Sequence, residues 1–420
     1  MSGDHHLTLP WGSETLELAL PEEWTIAGVL KPAALSGVPD VADEVRCSLQ
    51  EPIAAPRLRD LARDAGHVVI VIDDLSRPTP VGQLLPGILE ELAHGGVNRE
   101  DITVVVALGL HRPMTGDEVD QRIGSVDLAG LNWENHDCDA TDSLVTLGTT
   151  QRGSPVLIQR TVAQADLIIS IGCIEPHIIA SFGGGYKNLV PGVAGRATIA
   201  HNHSLNCTPE TFNMVGQPIE RNPMRLDLEE AAAMVGGRVF VVNAVLNGDL
   251  EVVRVVSGDP ISAHRAGAET SAEIYGVEIP AAADVVITDS HPMDQDLRQG
   301  VKALANTVRA VRKGGVLITL VRAEEGVGVF GLAERKMPLG HRGLKVLAPL
   351  LLRLVPRLKM EGEEDRFFLY FALQAMCHCD MLIYGPTIPE EARAGLPFVT
   401  FIDSPQAAID RANQLTGNEA

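Results

Sequence analysis

Along most of this chain, short unbroken apolar runs alternate with stretches in which apolar residues recur at helical spacing. Residues 67–73 (HVVIVID), 102–108 (ITVVVAL) and 166–172 (DLIISIG) read as buried strands, the last closed by Gly172. Residues 81–94 and 115–123 follow the first two with helical period. The second of these helices opens on Thr115 and Glu118, the spacing of a capping box. Strand alternating with helix predicts a parallel α/β sheet. Ahead of this region, residues 6–20 alternate polar and apolar around Trp11 and Gly12, which predicts a hairpin, and 21–56 is turn-rich. Behind it, 238–256 reads as two strands around Asn247 and Gly248, and 262–275 as a helix. The α/β pattern then restarts, with strands at 283–288 and 315–321 flanking a helix at 294–311. A helix at 367–379 leads into strands at 380–384 and 398–402. The expected fold is α/β: two domains with largely parallel sheets, 1–276 and 277–420, and the active site in the cleft between them.

Composition narrows the function. A chain of 420 residues is long enough for two or three domains. Its formal net charge of -21 excludes a surface built to neutralise a nucleic acid, but not a small anionic substrate that needs only a few local cations. Six cysteines in a chain this size are no disulfide framework, and Cys377-His378-Cys379, lacking zinc-knuckle spacing, reads as core. With no run of membrane-spanning length and no apolar signal core at the N-terminus, a cytoplasmic protein without stable membrane association is expected. The chain turns basic between 335 and 359, in an amphipathic stretch interrupted by Pro349 and Pro356. A solvated domain face is expected there, with a membrane-surface helix as the alternative.

Residues able to do chemistry fall just after the strands, where open α/β sheets bind their ligands. The first strand is followed by Asp74, Ser76 and Arg77, the second by Gly109-Leu110-His111-Arg112, the third by Glu175-Pro176-His177. Three successive strand ends each deliver a charged or titratable group. Next come Gly183, Gly184 and Gly185, and then Lys187. Consecutive glycines fill no core volume; they are expected where the backbone approaches something closely, and their amides can line an anion. A lysine two residues on can pair with phosphate or act as an amine nucleophile, while a plain solvated loop is the alternative. His201 and His203 share a face on a strand but not on a helix, and either can be core or surface. In the second domain Gln299 and Lys302 lie three apart, on one helical face.

Taken in order, D-x-x-R-P-T-P at 74–80, G-L-H-R at 109–112, His177 and Lys187 as H-x9-K, N-H-S at 202–204 and D-x4-Q-x-x-K from Asp294 to Lys302 closely resemble the nickel-dependent lactate racemase family. The resemblance runs from about residue 65 to 305. It implies a nickel pincer nucleotide, a pyridinium mononucleotide with two sulfur-containing arms, tethered to a lysine through a thioamide. Its nickel is held by a ring carbon, two sulfurs and a histidine. By that resemblance Lys187 is the tether and His203, at the family spacing, the nickel ligand, with Gly183, Gly184 and Gly185 letting the backbone pass close to the cofactor. His111 and His177 are implied as the acid/base pair, one for each enantiomer of a 2-hydroxy acid that passes through a 2-keto acid. Arg77 and Lys302 are implied to hold carboxylate and carbonyl oxygen, Asp74 to orient Arg77 or a histidine, and Gln299 to give a hydrogen bond to substrate or cofactor. Proteins that synthesise the cofactor are implied partners.

Two departures bear on substrate. Lactate-specific members carry a tyrosine before the glutamine, where this chain has Arg298, and a tryptophan in a late loop, where it has Arg366-Phe367-Phe368. An added arginine suits a second carboxylate or a polyhydroxylated acid, so a substrate larger or more polar than lactate is expected. Two other readings compete. One is a zinc hydrolase using His111, His177 and His203; the other is a non-catalytic nucleotide- or cofactor-binding protein.

Overall fold

The computed structural model describes residues 5–417, except 125, 127–129, 292–293, 329, 335–336 and 359–362, with backbone alone for 363–365. Both ends of the basic stretch 335–359 thus lie outside the described residues. In chain order the strands are β1 (His6–Trp11), β2 (Glu14–Ala19), β3 (Val68–Asp73), β4 (Ile102–Ala107), β5 (Asn132–Asn135), β6 (Leu144–Thr149), β7 (Pro155–Gln159) and β8 (Leu167–Cys173). They continue with β9 (Pro176–His177), β10 (Ser181–Phe182), β11 (Arg238–Leu246), β12 (Val252–Gly258), β13 (Ala283–Asp289), β14 (Val311–Leu320), β15 (Asp380–Tyr384) and β16 (Thr400–Ile402).

The chain divides into two compact units, one of residues 31–205 and 216–277, the other of 1–30, 206–215 and 278–420. The first unit holds a sheet in the order β12-β11-β8-β3-β4-β5, parallel throughout except for β12. Every residue of β3 and β8 is buried. That is why these segments read as unbroken apolar runs: both faces of a parallel sheet are covered. Alternate residues of β11 enter different cores. Phe240, Val242 and Ala244 pack with the helices Val41–Gln50 and Val81–His94, whereas Val241 and Val245 pack with Ser262–Tyr275. Thr115 and Glu118 form the expected capping box of the helix Gly116–Ile123.

The second unit holds β13-β14-β15-β16, all parallel. The β1–β2 hairpin, which the linear pattern counted with the first domain, packs here instead. Leu18 and Trp24 share a core with Ile318, Leu320 and Ile409, the Trp11 ring stacks on Tyr384 at 5.6 Å, and Trp24 Nε1–H donates to Asn413 Oδ1 at 2.9 Å. A hairpin's alternation tells which of its faces is apolar, not which sheet it covers. The helix expected over 294–311 is shorter, Leu297–Thr307, because the Asp296 side chain accepts the Gln299 amide at 2.7 Å and caps it. His378 Nε2–H donates to Val311 O at 2.8 Å, and of the Cys-His-Cys run Cys379 is buried in the core while Cys377 and His378 are partly buried.

Candidate active site

Sheet order sets β8, β3 and β4 side by side, all pointing the same way, so the loops after them share one edge. Asp74, buried at the end of β3, accepts the His111 Nδ1–H on its Oδ2 at 2.5 Å, and accepts Ser76 Oγ–H on Oδ1 at 2.5 Å. Burial alone would raise this carboxyl. The hydrogen bond and charge of His111, the Ser76 hydroxyl and the Arg77 charge outweigh it, and hold the group well below the usual carboxylate range. A carboxylate can only accept, so it places the His111 proton on Nδ1 and leaves the lone pair on Nε2. Of the two partners the sequence left open for Asp74, the structure selects the histidine. Arg77 instead faces Glu175, with Nη1 3.6 Å from Oε1, which ties the loops after β3 and β8 together.

His177, on the two-residue strand β9, has the opposite arrangement. Its Nδ1 accepts the amides of Ile179 at 3.2 Å and Ala180 at 3.1 Å, so the ring proton sits on Nε2. One histidine is set up with a lone pair at Nε2, the other with a donor.

The triple glycine turns out to serve the chain's own packing. Gly184 and Gly185 have φ of 72° and 63°, which disfavour a side chain. A Cβ on Gly184 would lie 2.6 Å from Ile174 Cγ1, and one on Gly185 would lie 2.7 Å from Arg225 Nη2. Two of the three amides bond within the chain. Gly183 N–H donates to Glu175 O and Gly185 N–H to Asn243 Oδ1, each at 2.8 Å. Behind the loop, His264 Nε2–H donates to Gly183 O at 2.8 Å and Arg225 Nη1–H to Gly184 O at 3.2 Å. Arg225 is wholly buried, pairs with Glu229 at 2.7 Å, and is brought down to about 10 by that burial. Lys187 follows on a short turn, Gly185–Asn188, anchored by Asn188 Nδ2–H to Ile171 O of β8 at 2.6 Å. The backbone also links it to the His111 loop: Gly109 N–H donates to Gly192 O at 2.9 Å, and Gly192 N–H to Lys187 O at 3.2 Å.

His201 and His203 lie on a helix, Arg196–Ser204, and therefore do not share a face. His203 Nδ1–H donates to Ile199 O at 2.9 Å, which puts the ring's lone pair on Nε2; metal-ligating imidazoles are oriented by such bonds. His201 Nδ1 is bonded to Ser154 Oγ at 2.9 Å, and that hydroxyl donates to buried Asp227 at 2.6 Å, a structural role. A lysine amine and an imidazole Nε2 are the donors a lysine-tethered nickel nucleotide requires, so these residues fit the group. Among the described residues, His111, His177 and His203 do not form a group with ligand atoms all within 4.8 Å, which weighs against the zinc hydrolase.

In the other unit, Lys302 Nζ donates to Gln299 Oε1 at 2.5 Å on the helix Leu297–Thr307, which also carries half-buried Arg298. Phe367 is only 2% exposed and stacks on Phe371, so it belongs to the interior. Sequence reasoning gave no bracing role to Ser76 and Glu175 and passed over the other groups that hold the loops: Asn188, Asn243, Arg225, His264, and Arg122, which pairs with Asp73 and donates to Arg77 O at 2.9 Å. Only the two arginines left a signal, as cations on the buried faces of their helices.

Strand ends that carry a carboxylate-bound histidine beside a lysine turn and a backbone-oriented histidine define an α/β protein with a polar strand-end site. The lactate racemase N-terminal domain family matches residues 11–213. Lactate racemase of Thermoanaerobacterium thermosaccharolyticum is 31% identical over 78% of this chain and 76% of its own. Lactate racemase of Lactiplantibacillus plantarum is 30% identical over 77% and 76%. The solved apoprotein of the former superposes with a TM-score of 0.85 at 26% identity, covering 99% of this chain and 96% of that one. The chain belongs to the lactate racemase family.

Proposed function

We propose that this protein racemises or epimerises a 2-hydroxy acid larger or more polar than lactate, with proton transfer at C2's hydroxyl oxygen coupled to hydride transfer at C2. The observation that carries the reading is the Asp74–His111 pair standing on the same strand edge as Arg77, His177 and the Lys187 turn. Lys187 would tether the nickel pincer nucleotide and His203 would ligate its nickel through Nε2. When bound, that group supplies a hydride acceptor that can return the hydride to either face. Proteins that synthesise the cofactor would be needed to load it.

The chain's own residues do the rest. His111 Nε2 takes the hydroxyl proton, and Asp74 stabilises the imidazolium that forms, a charge-assisted bond worth ~1.5–3 kcal/mol. His177 meets the substrate oxygen from the opposite face with Nε2–H; serving as base there requires its ring proton to leave Nε2 and one to be taken up at Nδ1, with release of the 179 and 180 amides. Arg77 offers a planar fork to the carboxylate, and Lys302, presented by Gln299, a point charge to the forming carbonyl. Arg298 beside Gln299 adds a cation where a second carboxylate or hydroxyls would be bound.

The test is a panel of single-enantiomer acids (lactate, malate, 2-hydroxyglutarate, gluconate) incubated with protein co-produced with the cofactor-synthesis proteins and resolved by chiral chromatography. Intact mass should show an adduct that Lys187→Ala abolishes. Faster turnover of lactate than of the others would overturn the substrate reading; no interconversion by adduct-bearing protein would overturn the activity.

A further inference from the structure

We infer that the helix His341–Leu354 is a reversible docking face for an anionic lipid surface. Its inner side is secured by buried Leu344 and Ala348. On the outer side Val346, Leu350, Leu354 and, just beyond the helix, Leu358 recur every four residues with exposures of 78, 53, 43 and 46%, and Leu347 at 38% widens the stripe. A soluble helix normally turns such a stripe inward. Here the apolar stripe that faces inward and the one that faces solvent are different.

Charge decides what can cover it. Arg342, Lys345 and Arg353 are exposed along one edge of the stripe and Arg357 follows in the next turn, with no acidic residue from 341 to 358. Lys345 pairs with Asp380, but among the described residues Arg342, Arg353 and Arg357 have no ion-pair partner. This cationic island sits on a chain of net charge -21. An anionic partner is attracted to the island and repelled by the remaining surface, so the encounter is oriented. The stripe is purely aliphatic, without the aromatic anchors that concentrate in protein interfaces, and aliphatic side chains flanked by cations are what a headgroup–acyl boundary accepts without shape complementarity. A second copy is disfavoured, since antiparallel pairing along the stripe sets each cationic edge against its own counterpart. No described helix is long and apolar enough to cross a membrane, so the helix would lie in the plane of the surface.

The experiment is co-sedimentation of the full chain with vesicles of phosphatidylcholine alone or with about one third phosphatidylglycerol, at low and high salt. Expected is binding to the anionic vesicles at least about tenfold tighter than to the neutral ones and lost at high salt. Leu350→Glu with Leu354→Glu, and separately Arg353→Glu with Arg357→Glu, should each reduce it about tenfold with unchanged far-UV circular dichroism and Tm. Equal partition into both vesicle types, or binding indifferent to both variant pairs, overturns the proposal. So does a dimer by light scattering that the Leu350→Glu, Leu354→Glu variant dissolves, which would make the face an interface between copies.

Discussion

At the scale of single residues, the site is defined by which ring nitrogen carries the proton. His111 and His203 donate Nδ1–H to a carboxylate and a carbonyl, whereas His177 receives two amides on Nδ1. Asp74→Asn keeps the shape of the side chain but removes the charge that stabilises an imidazolium at 111. Turnover of cofactor-loaded enzyme, measured by chiral chromatography, is expected to fall about 10²–10⁴-fold with the intact mass of the adduct unchanged. Unchanged turnover would reduce Asp74 to a loop-bracing residue. His111, His177 and Asp74 were legible as strand-end residues, yet the tautomers were not, since His177 and His203 are set by local backbone geometry and His111 by a partner that sequence distance hides. Asp74 and His111 are 37 residues apart.

At the scale of elements, the glycine loop is the instructive case. The three glycines announce close approach, and the approach is real, but it is to Ile174, Asn243, Arg225 and His264 rather than to open space for an anion. The loop holds Lys187 in place by being fully occupied from behind. Gly185→Ala combines a positive φ with a Cβ driven against Arg225, so unfolding should be easier by about 1–3 kcal/mol in urea titration. The fraction of chains carrying the Lys187 adduct by intact mass should drop with it. A wild-type urea midpoint would mean the loop repacks freely and does not position the lysine. The short strands β5, β6 and β7 went unread, but the strands that carry the site's loops were readable to within a few residues because continuous apolar runs are local signals. The helix Arg196–Ser204 was not, as its few apolar side chains leave only a weak period, and it is this helix that separates His201 from His203.

At the scale of the whole molecule, buried histidines make the fold acid-sensitive. Burial, joined by the charges of Arg225 and Arg265, holds His264 well below its ordinary value, and burial lowers His136 against its hydrogen bonds to Ala194 and Gln159. Above about pH 6.5 both are neutral folded or unfolded; below it the unfolded chain takes up protons that the folded chain refuses. Stability should therefore decline as pH falls from 7.5 to 5.5, by ~1 kcal/mol per histidine, with His264→Gln removing part of the slope in urea titrations. A flat profile over that window would contradict it. The sequence by itself determined the α/β class, the strand ends where chemistry collects and, by ordered motifs, the family, because periodicity and motif spacing survive in one dimension. Only the tertiary structure decided that the N-terminal hairpin covers the second sheet, that Asp74 serves His111, and that buried Arg225 and His264 stand behind the glycines. Those outcomes rest on contacts between distant segments, formed only when burial brings charges and apolar faces together.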